Sequence, residues 1–135
     1  MGQLIDTSVL IQMERKRLTL GDLIARIPEE DIAISSITAS ELLVGVERAT
    51  DLVTRSRRSV FVEHLLREIP VAPLDLDVAR IHAVIRVELA SSGTPIGPHD
   101  LIIAATALAL DYDVVTENIN EFSRVPRLTT VQPSW

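Results

Sequence analysis

Short apolar runs alternate along the chain with longer segments in which apolar residues recur at helical spacing. A short run bounded by turn residues is typical of a buried strand, and an i, i+3, i+4 spacing is typical of a helix with one buried face. We predict strands over residues 2–5, 31–35, 69–71, 113–116 and 129–131. We predict helices ending near Glu14, over 19–27, from Thr38, over 51–68, over 75–91 and from Pro98, and a helical turn near Glu121 and Phe122.

The order of these elements predicts the fold class. Strands that alternate with helices form βαβ units, in which parallel strands share one sheet and helices cover its faces. Pro98 fits the first position of its helix, and the helix is apolar nearly all round from Leu101 to Leu110, so we expect it to be buried. No internal repeat and no linker interrupts the pattern. We therefore predict a single α/β domain over residues 1–135.

Composition narrows the functions that such a domain can have. Of the 135 residues, 47% are apolar and only 3% aromatic, which argues against nucleic-acid binding by aromatic stacking. The net charge of −6 argues against coating of nucleic acid through a global basic field, although not against a metal-dependent nuclease. The absence of cysteine excludes disulfides, zinc ribbons and thiol catalysis. The longest apolar run is about half of a membrane span, and we expect a cytoplasmic protein.

Polar residues follow or begin the predicted elements at one edge of the sheet. Asp6 comes directly after the first strand, and the segment from Thr116 to Asn118 follows the fourth. Glu41 and Asp100 each lie in the first turns of a predicted helix. Because open α/β sheets bind ligands at the carboxyl ends of their strands, we expect these side chains to converge there.

Each of these acids also has a purely structural interpretation. Asp6 is placed to cap the first helix, Thr38 and Glu41 match a capping box, and Asp100 lies where the helix dipole favours negative charge. Capping groups need not converge, however, whereas these acids all belong to elements that start at the same edge. Oxygen ligands without cysteine suit Mg²⁺ or Mn²⁺. Such a metal can activate water against a phosphodiester, so the pattern indicates a nuclease.

The densest basic region follows Glu41 along the chain. It consists of four arginines, Arg48, Arg55, Arg57 and Arg58. One interpretation is a solvated helix face, which is the usual role of a charge run. The other is a rim that contacts substrate phosphates, for which Arg48, Arg55 and Arg58 are the candidates. Both interpretations stay open at this point.

Two further residues adjoin the acids. His99 precedes Asp100 and is either a ligand or proton shuttle, or a loop residue that faces solvent or substrate. Thr7 follows Asp6 and is a candidate for substrate contact or for support of the acids.

Four segments together resemble the PIN-domain family and, within it, the VapC-type toxins of bacterial toxin–antitoxin pairs. They span essentially the whole chain and read LIDTSVLI, ISSITASELLVGVERA, GTPIGPHDLIIAATAL and VVTENINEFSRVPRL. The resemblance implies a three-layer α/β/α fold with a mainly parallel sheet of four to five strands. It implies an endoribonuclease that depends on Mg²⁺ or Mn²⁺ and cleaves structured RNA such as tRNA or rRNA. It also implies a VapB-type antitoxin whose C-terminal segment covers the active site, and a homodimer or a larger assembly with that antitoxin.

The same resemblance implies roles for residues of the site. The metal-binding acids would be Asp6, Glu41 and Asp100. Many PIN domains carry a fourth acid where this chain has Asn118. We therefore expect one firmly bound metal rather than two, with Asn118 and Thr116 as supporting catalytic groups. Glu117 or Glu121 is the alternative source of a fourth carboxylate.

Two rival functions can be stated from the same residues. A receiver-type phosphoacceptor domain has a similar length and fold, but it needs a lysine near the last strand and an acid pair after the first. The chain has neither, and its one lysine is Lys16. A PIN-like module that binds without cleaving RNA is the second rival, and the neutral Asn118 is its main support.

Overall fold

The structure of the chain is a computed structural model that describes residues 2–27 and 31–135. The strands within these ranges are β1 (Gly2–Ile5), β2 (Asp31–Ser35), β3 (Val71–Ala72), β4 (Tyr112–Val115) and β5 (Thr130–Val131). The helices are α1 (Thr7–Arg15), α2 (Leu20–Ile24), α3 (Ser36–Arg48), α4 (Leu52–Glu68), α5 (Leu76–Ser91), α6 (Pro98–Leu110) and α7 (Ile119–Phe122). None of the helices in the described ranges is long and apolar enough to cross a bilayer.

The five strands form one parallel sheet in the order β3-β2-β1-β4-β5. The central strand β1 pairs with β2 on one side and with β4 on the other, with Leu4 opposite Ala33 and Val114. The chain therefore winds outward from β1 in one direction and returns to its other side at β4. Ligands of open α/β sheets bind at the carboxyl ends of strands where the winding reverses, which here is the edge after β1 and β4.

Alternate residues of each strand face two separate cores. Leu4 and Val114 pack in a cluster with apolar residues of α5 and α6. Their neighbours Ile5 and Val115 pack on the opposite face with residues of α1, α3 and α4. Because side chains alternate across a strand, this division places helices on both faces of the sheet. The predicted α/β class and its three-layer α/β/α arrangement are confirmed.

Helix α3 begins earlier than the sequence pattern predicted. It starts at Ser36 rather than at Thr38, and the side chain of Ser35 accepts a hydrogen bond from the Ile37 N–H at 3.0 Å. The alternative interpretation of Thr38 and Glu41 as a capping box is therefore wrong. The physical reason is that β2 passes into α3 without a loop, so the serine at the end of the strand caps the helix first. Thr38 lies fully buried inside α3 instead.

Helix α2 is shorter than predicted. It covers Leu20–Ile24 rather than 19–27, and it begins with a capping box in which Thr19 and Asp22 satisfy each other's backbone N–H groups. The stop predicted at Pro28 lies outside the described residues. The third strand also begins later than predicted, because Ile69 ends α4 with its N–H bonded to the Leu65 carbonyl.

The end of α1 is a Schellman motif. The Leu18 N–H donates to the Met13 carbonyl at 2.9 Å, and the Arg17 N–H donates to the Glu14 carbonyl at 3.1 Å. This motif requires a left-handed backbone at the residue after the cap, which is usually glycine. Here the residue is Arg17, with φ of 55°. A side chain in this conformation costs about 1 kcal/mol relative to glycine, so local stability alone does not favour arginine at this position.

Phe122 fixes the short helix α7 to the core. Its ring is fully buried in the cluster beneath α5 and α6. Phe122→Ala is expected to lower the free energy of unfolding by about 3–5 kcal/mol, because the side chain leaves a cavity that the surroundings fill only in part. Urea denaturation measures the change. Val60→Ala, at a position that is 71% exposed on α4, is the control and should change stability by less than about 0.5 kcal/mol.

Candidate active site

Asp6 lies at the carboxyl end of β1, where the winding of the sheet reverses. The residue is 2% exposed, and its Oδ2 accepts hydrogen bonds from Ser8 Oγ at 2.6 Å and from Thr116 Oγ1 at 2.8 Å. Asp6 occupies the N-cap position of α1, but its side chain does not cap the helix. Burial raises the pKa of Asp6, although both hydroxyl bonds act in the opposite direction. The structure therefore keeps this carboxylate at the sheet edge rather than using it as a cap.

Ser8 and Thr116 tie this carboxylate to the loop after β4. Ser8 Oγ accepts the Glu117 N–H at 3.1 Å, and Thr116 Oγ1 accepts the Asn118 N–H at 2.8 Å. Each hydroxyl thus donates to Asp6 and accepts from the loop, so both have fixed orientations. The ends of β1 and β4 are held together around one buried acid.

Glu41 reaches the same edge from the second turn of α3. Its Oε1 accepts a hydrogen bond from Thr7 Oγ1 at 2.7 Å, and the hydroxyls of Thr7 and Thr38 are hydrogen-bonded at 3.0 Å. His99 Nδ1, from the first turn of α6, lies 3.3 Å from Glu41 Oε2. Thr7 therefore orients Glu41. His99, whose side chain is 54% exposed, also contacts Glu41.

Asp100 and Glu121 complete the cluster from α6 and α7. Burial, the hydrogen bond to the carboxyl group of Glu121 and the charges of Asp6, Glu121 and Glu41 together raise the pKa of Asp100 from 3.8 to about 7, with burial as the largest cause. Glu121 Oε1 also accepts the Gly97 N–H at 2.7 Å. In a capping box the acid at the position of Asp100 would take that N–H. Because Glu121 takes it instead, Asp100 does not cap α6 and its carboxyl group pairs with that of Glu121.

The fourth carboxylate was not assigned from the sequence, which left Glu117 and Glu121 as alternatives. Glu117 points away from the cluster, since its carboxylate accepts Trp135 Nε1–H at 3.0 Å. Glu121 is the residue that faces Asp100. One sequence feature could have favoured Glu121. The adjacent Phe122 is an apolar residue in a polar segment, and its burial determines how α7 is rotated. The supporting role predicted for Asn118 stays a prediction, because its side chain is exposed and only its backbone N–H contacts Thr116.

The predicted basic rim does not form one free surface. Arg55 pairs with Glu47 at 2.8 Å, and Arg58 pairs with Glu14 at 3.2 Å. Arg58 Nη1 also donates to the Gly45 carbonyl at 3.0 Å. Substrate contact by Arg48, Arg55 or Arg58 therefore stays a prediction, and the last two would have to exchange existing partners for a phosphate.

The chemistry of the cluster fits a divalent cation. Asp6, Glu41, Asp100 and Glu121 supply only oxygen, and no lysine or arginine forms an ion pair with any of the four in the described residues. The pKa of Asp100 is raised first by burial and further by the hydrogen bond to Glu121 and by the nearby charges of Asp6, Glu121 and Glu41, so a cation at this point would be favoured. Across residues 2–27 and 31–135 no three acidic or histidine side chains are already grouped as ligands around one point. Binding would therefore require side-chain rotations, which the attraction of the carboxylates to a cation favours.

Ser8→Ala tests the hydroxyl bridge in this site. We expect a loss of about 1–3 kcal/mol of stability, because the buried Glu117 N–H loses its acceptor and Asp6 loses a donor. Urea denaturation measures the loss, with Ser56→Ala on the exposed face of α4 as the control. Equal stabilities of the two variants would show that the bridge carries no net energy.

The sequence profile of the PIN domain matches residues 4–128. This match covers most of the chain and includes every residue of the acidic cluster. The chain belongs to the PIN-domain family.

Individual proteins similar to this chain have more specific names than the family does. A protein named ribonuclease VapC from Rickettsia bellii (strain RML369-C) is 33% identical over 128 residues, 95% of this chain and 93% of that protein. A tRNA(fMet)-specific endonuclease VapC from Salmonella typhimurium is 39% identical over 95 residues, 70% of each chain. The crystal structure of VapBC2 from Rickettsia felis, bound to a DNA fragment from its promoter, superposes with a TM-score of 0.88 at 26% identity, over 99% of this chain and 100% of that chain.

Proposed function

We propose that the chain is a metal-dependent endoribonuclease and the toxin of a VapBC-type toxin–antitoxin pair. The observation that carries this proposal is the meeting of four carboxylates, from four different elements, at the edge where the sheet reverses its winding. The similarity to proteins named ribonuclease VapC and tRNA(fMet)-specific endonuclease VapC supports RNA as the substrate. Neither rival function gains support. The lysine that a receiver domain needs is absent. The neutral Asn118 no longer argues for a module that binds without cleaving, because Glu121 supplies a fourth carboxylate.

Asp6, Glu41 and Asp100 would hold Mg²⁺ or Mn²⁺, with Glu121 as the fourth carboxylate in place of Asn118. When bound, the metal supplies an activated water and positive charge against the phosphodiester. Thr7, Ser8 and Thr116 keep two of the acids oriented through the hydroxyl bonds described above. Because a metal can activate water as the nucleophile, the protein would need none of its own, and we infer hydrolysis by direct attack of water.

Asp100 also couples metal binding to the release of a proton. Its pKa of about 7 means that the metal-free site keeps a proton between Asp100 and Glu121 near neutral pH. That proton must leave before Asp100 can act as an ionised ligand. His99, which contacts Glu41 and adjoins Asp100, is placed to exchange protons with the site or with substrate.

A VapB-type antitoxin is the partner that this function requires. Related chains occur in VapBC complexes from Rickettsia felis and Salmonella typhimurium, and this chain covers at least 98% of each related structure. A cationic side chain of the antitoxin could occupy the carboxylate cluster in place of the metal, through bidentate pairing. A homodimer, alone or within the complex, belongs to the same proposal.

Cleavage of purified tRNA tests the function directly. We expect products with Mg²⁺, none with excess EDTA, and products again when Mg²⁺ is restored. Asp77→Asn, which removes an exposed acid from α5, is the matched control and should cleave like the unaltered protein. Cleavage that persists in EDTA, or that is absent under all three conditions, would refute the proposal.

A further inference from the structure

A basic concavity lies away from the acidic cluster, between the end of α1 and the first half of α4. Its volume is about 560 Å³. We call it the α1–α4 bay, and its charged lining residues are Glu14, Arg15, Arg17, Arg57 and Arg58. The two groups of arginines are far apart in the sequence, so only the fold brings them together.

The positive charge of the bay is largely uncompensated. Glu14 is paired with Arg58, but in the described residues Arg15, Arg17 and Arg57 form no ion pair with a carboxylate. All three side chains are exposed. On a chain with net charge −6 such a concentration of arginine is unusual, and guanidinium groups bind phosphates with two parallel hydrogen bonds.

Arg17 provides an independent observation. It occupies the left-handed position of the Schellman motif, where glycine is the preferred residue. Its side chain lines the bay. A residue that the local backbone disfavours, placed among exposed arginines, indicates that the side chain has a role beyond ending the helix.

The bay adjoins a groove whose lining includes one acid of the cluster. This groove, of about 240 Å³, shares Glu14, Arg15 and Arg58 with the bay, and Glu41 also lines it. Arg58 donates to the carbonyl of Gly45, one helical turn beyond Glu41. The bay therefore lies on the same side of the molecule as Glu41.

We propose that the α1–α4 bay binds backbone phosphates of the RNA substrate through Arg15, Arg17 and Arg57, an inference that rests on the proposed function. An acidic protein repels RNA over most of its surface, so its affinity must come from a local basic site. The exposed guanidinium groups, in a bay that adjoins a groove lined by Glu41, favour the phosphates of an RNA strand that also meets the acidic cluster over an acidic peptide.

The salt dependence of RNA binding tests this role. The probe is a fluorescein-labelled single-stranded RNA in EDTA, with anisotropy measured between about 50 and 200 mM KCl. For Arg15→Ala/Arg57→Ala we expect roughly tenfold weaker binding at low salt and a slope of log Kd against log[KCl] reduced by about 1.4, two phosphate contacts at about 0.7 each. The matched control, Arg67→Ala/Arg80→Ala, removes the same charge from exposed sites elsewhere and should leave the slope unchanged.

Arg17→Gly separates binding from folding. Because glycine suits the left-handed backbone, we expect a higher Tm together with weaker RNA binding and a slope reduced by about 0.7. A purely structural role of Arg17 predicts unchanged RNA affinity. An unchanged affinity and slope in both bay variants would overturn the proposal, even if they lost affinity for an acidic peptide or for the antitoxin.

The two proposals fail in different ways. If the unaltered protein binds RNA with the expected salt slope but does not cleave it with Mg²⁺, the nuclease function fails and the bay stands. If it cleaves RNA, and the bay variants match the control in affinity, slope and cleavage rate, the bay fails and the nuclease function stands.

Discussion

Asp100→Asn should reduce RNA cleavage by about 10³-fold, equivalent to about 4 kcal/mol of lost transition-state stabilisation. The same change should stabilise the metal-free fold, because it removes a carboxylate whose ionised form is disfavoured by burial and by the charges of Asp6, Glu121 and Glu41. Cleavage rates under single-turnover conditions and Tm from thermal unfolding measure the two effects. A residue with a purely structural role would not combine lost activity with gained stability.

The stabilisation by Asp100→Asn should depend on pH. The pKa of Asp100 is raised from 3.8 to about 7, so between these values the folded protein keeps a proton that the unfolded chain has lost. The contribution of this group to stability is therefore lost as pH rises through about 7. The gain in Tm should be larger at pH 8 than at pH 5. A variant that is inactive but gains no stability at pH 8 would contradict the proposed repulsion within the cluster.

Affinity for Mn²⁺ should rise about tenfold per pH unit below about pH 7 and then level off, because binding must displace the proton on Asp100. Calorimetry in two buffers of different ionisation enthalpy should show about one proton released per metal at pH 6 and fewer at pH 8. Glu121→Gln removes the partner charge while its amide oxygen still accepts the Gly97 N–H. This variant should reach its plateau of Mn²⁺ affinity at a lower pH, because burial still raises the pKa of Asp100 but Glu121 no longer does. Binding by the unaltered protein that does not depend on pH would contradict the assignment.

The sheet could be predicted from the sequence because its signal is local. The apolar runs ending at Ile5 and Ser35 are strands with nearly the predicted bounds. Pro98 and the apolar surface after it predicted the buried helix α6, which begins at that proline. From the parallel order alone, Asp6 and Thr116 were expected at one edge, and they are hydrogen-bonded there.

The details of the site could not be predicted, because they depend on contacts between distant elements. The pattern around Thr38 fits a capping box, but whether Ser35 or Thr38 caps the helix depends on how soon the helix begins after β2. The position of Glu121 depends on the rotation of α7, which the burial of Phe122 determines. The position of Arg17 in the α1–α4 bay, opposite residues of α4, depends on how α1 ends. In each case the residue was visible in the sequence, but its partner was not.

The anomalous X-ray signal of Mn²⁺ in crystals of the protein would locate the metal site. We expect a peak at the edge after β1 and β4, within ligand distance of Asp6 and Asp100, and no peak there in crystals of Asp100→Asn grown under the same conditions. A peak confined to other surfaces of the protein, or an unchanged peak in the variant, would contradict a metal centre built on these carboxylates.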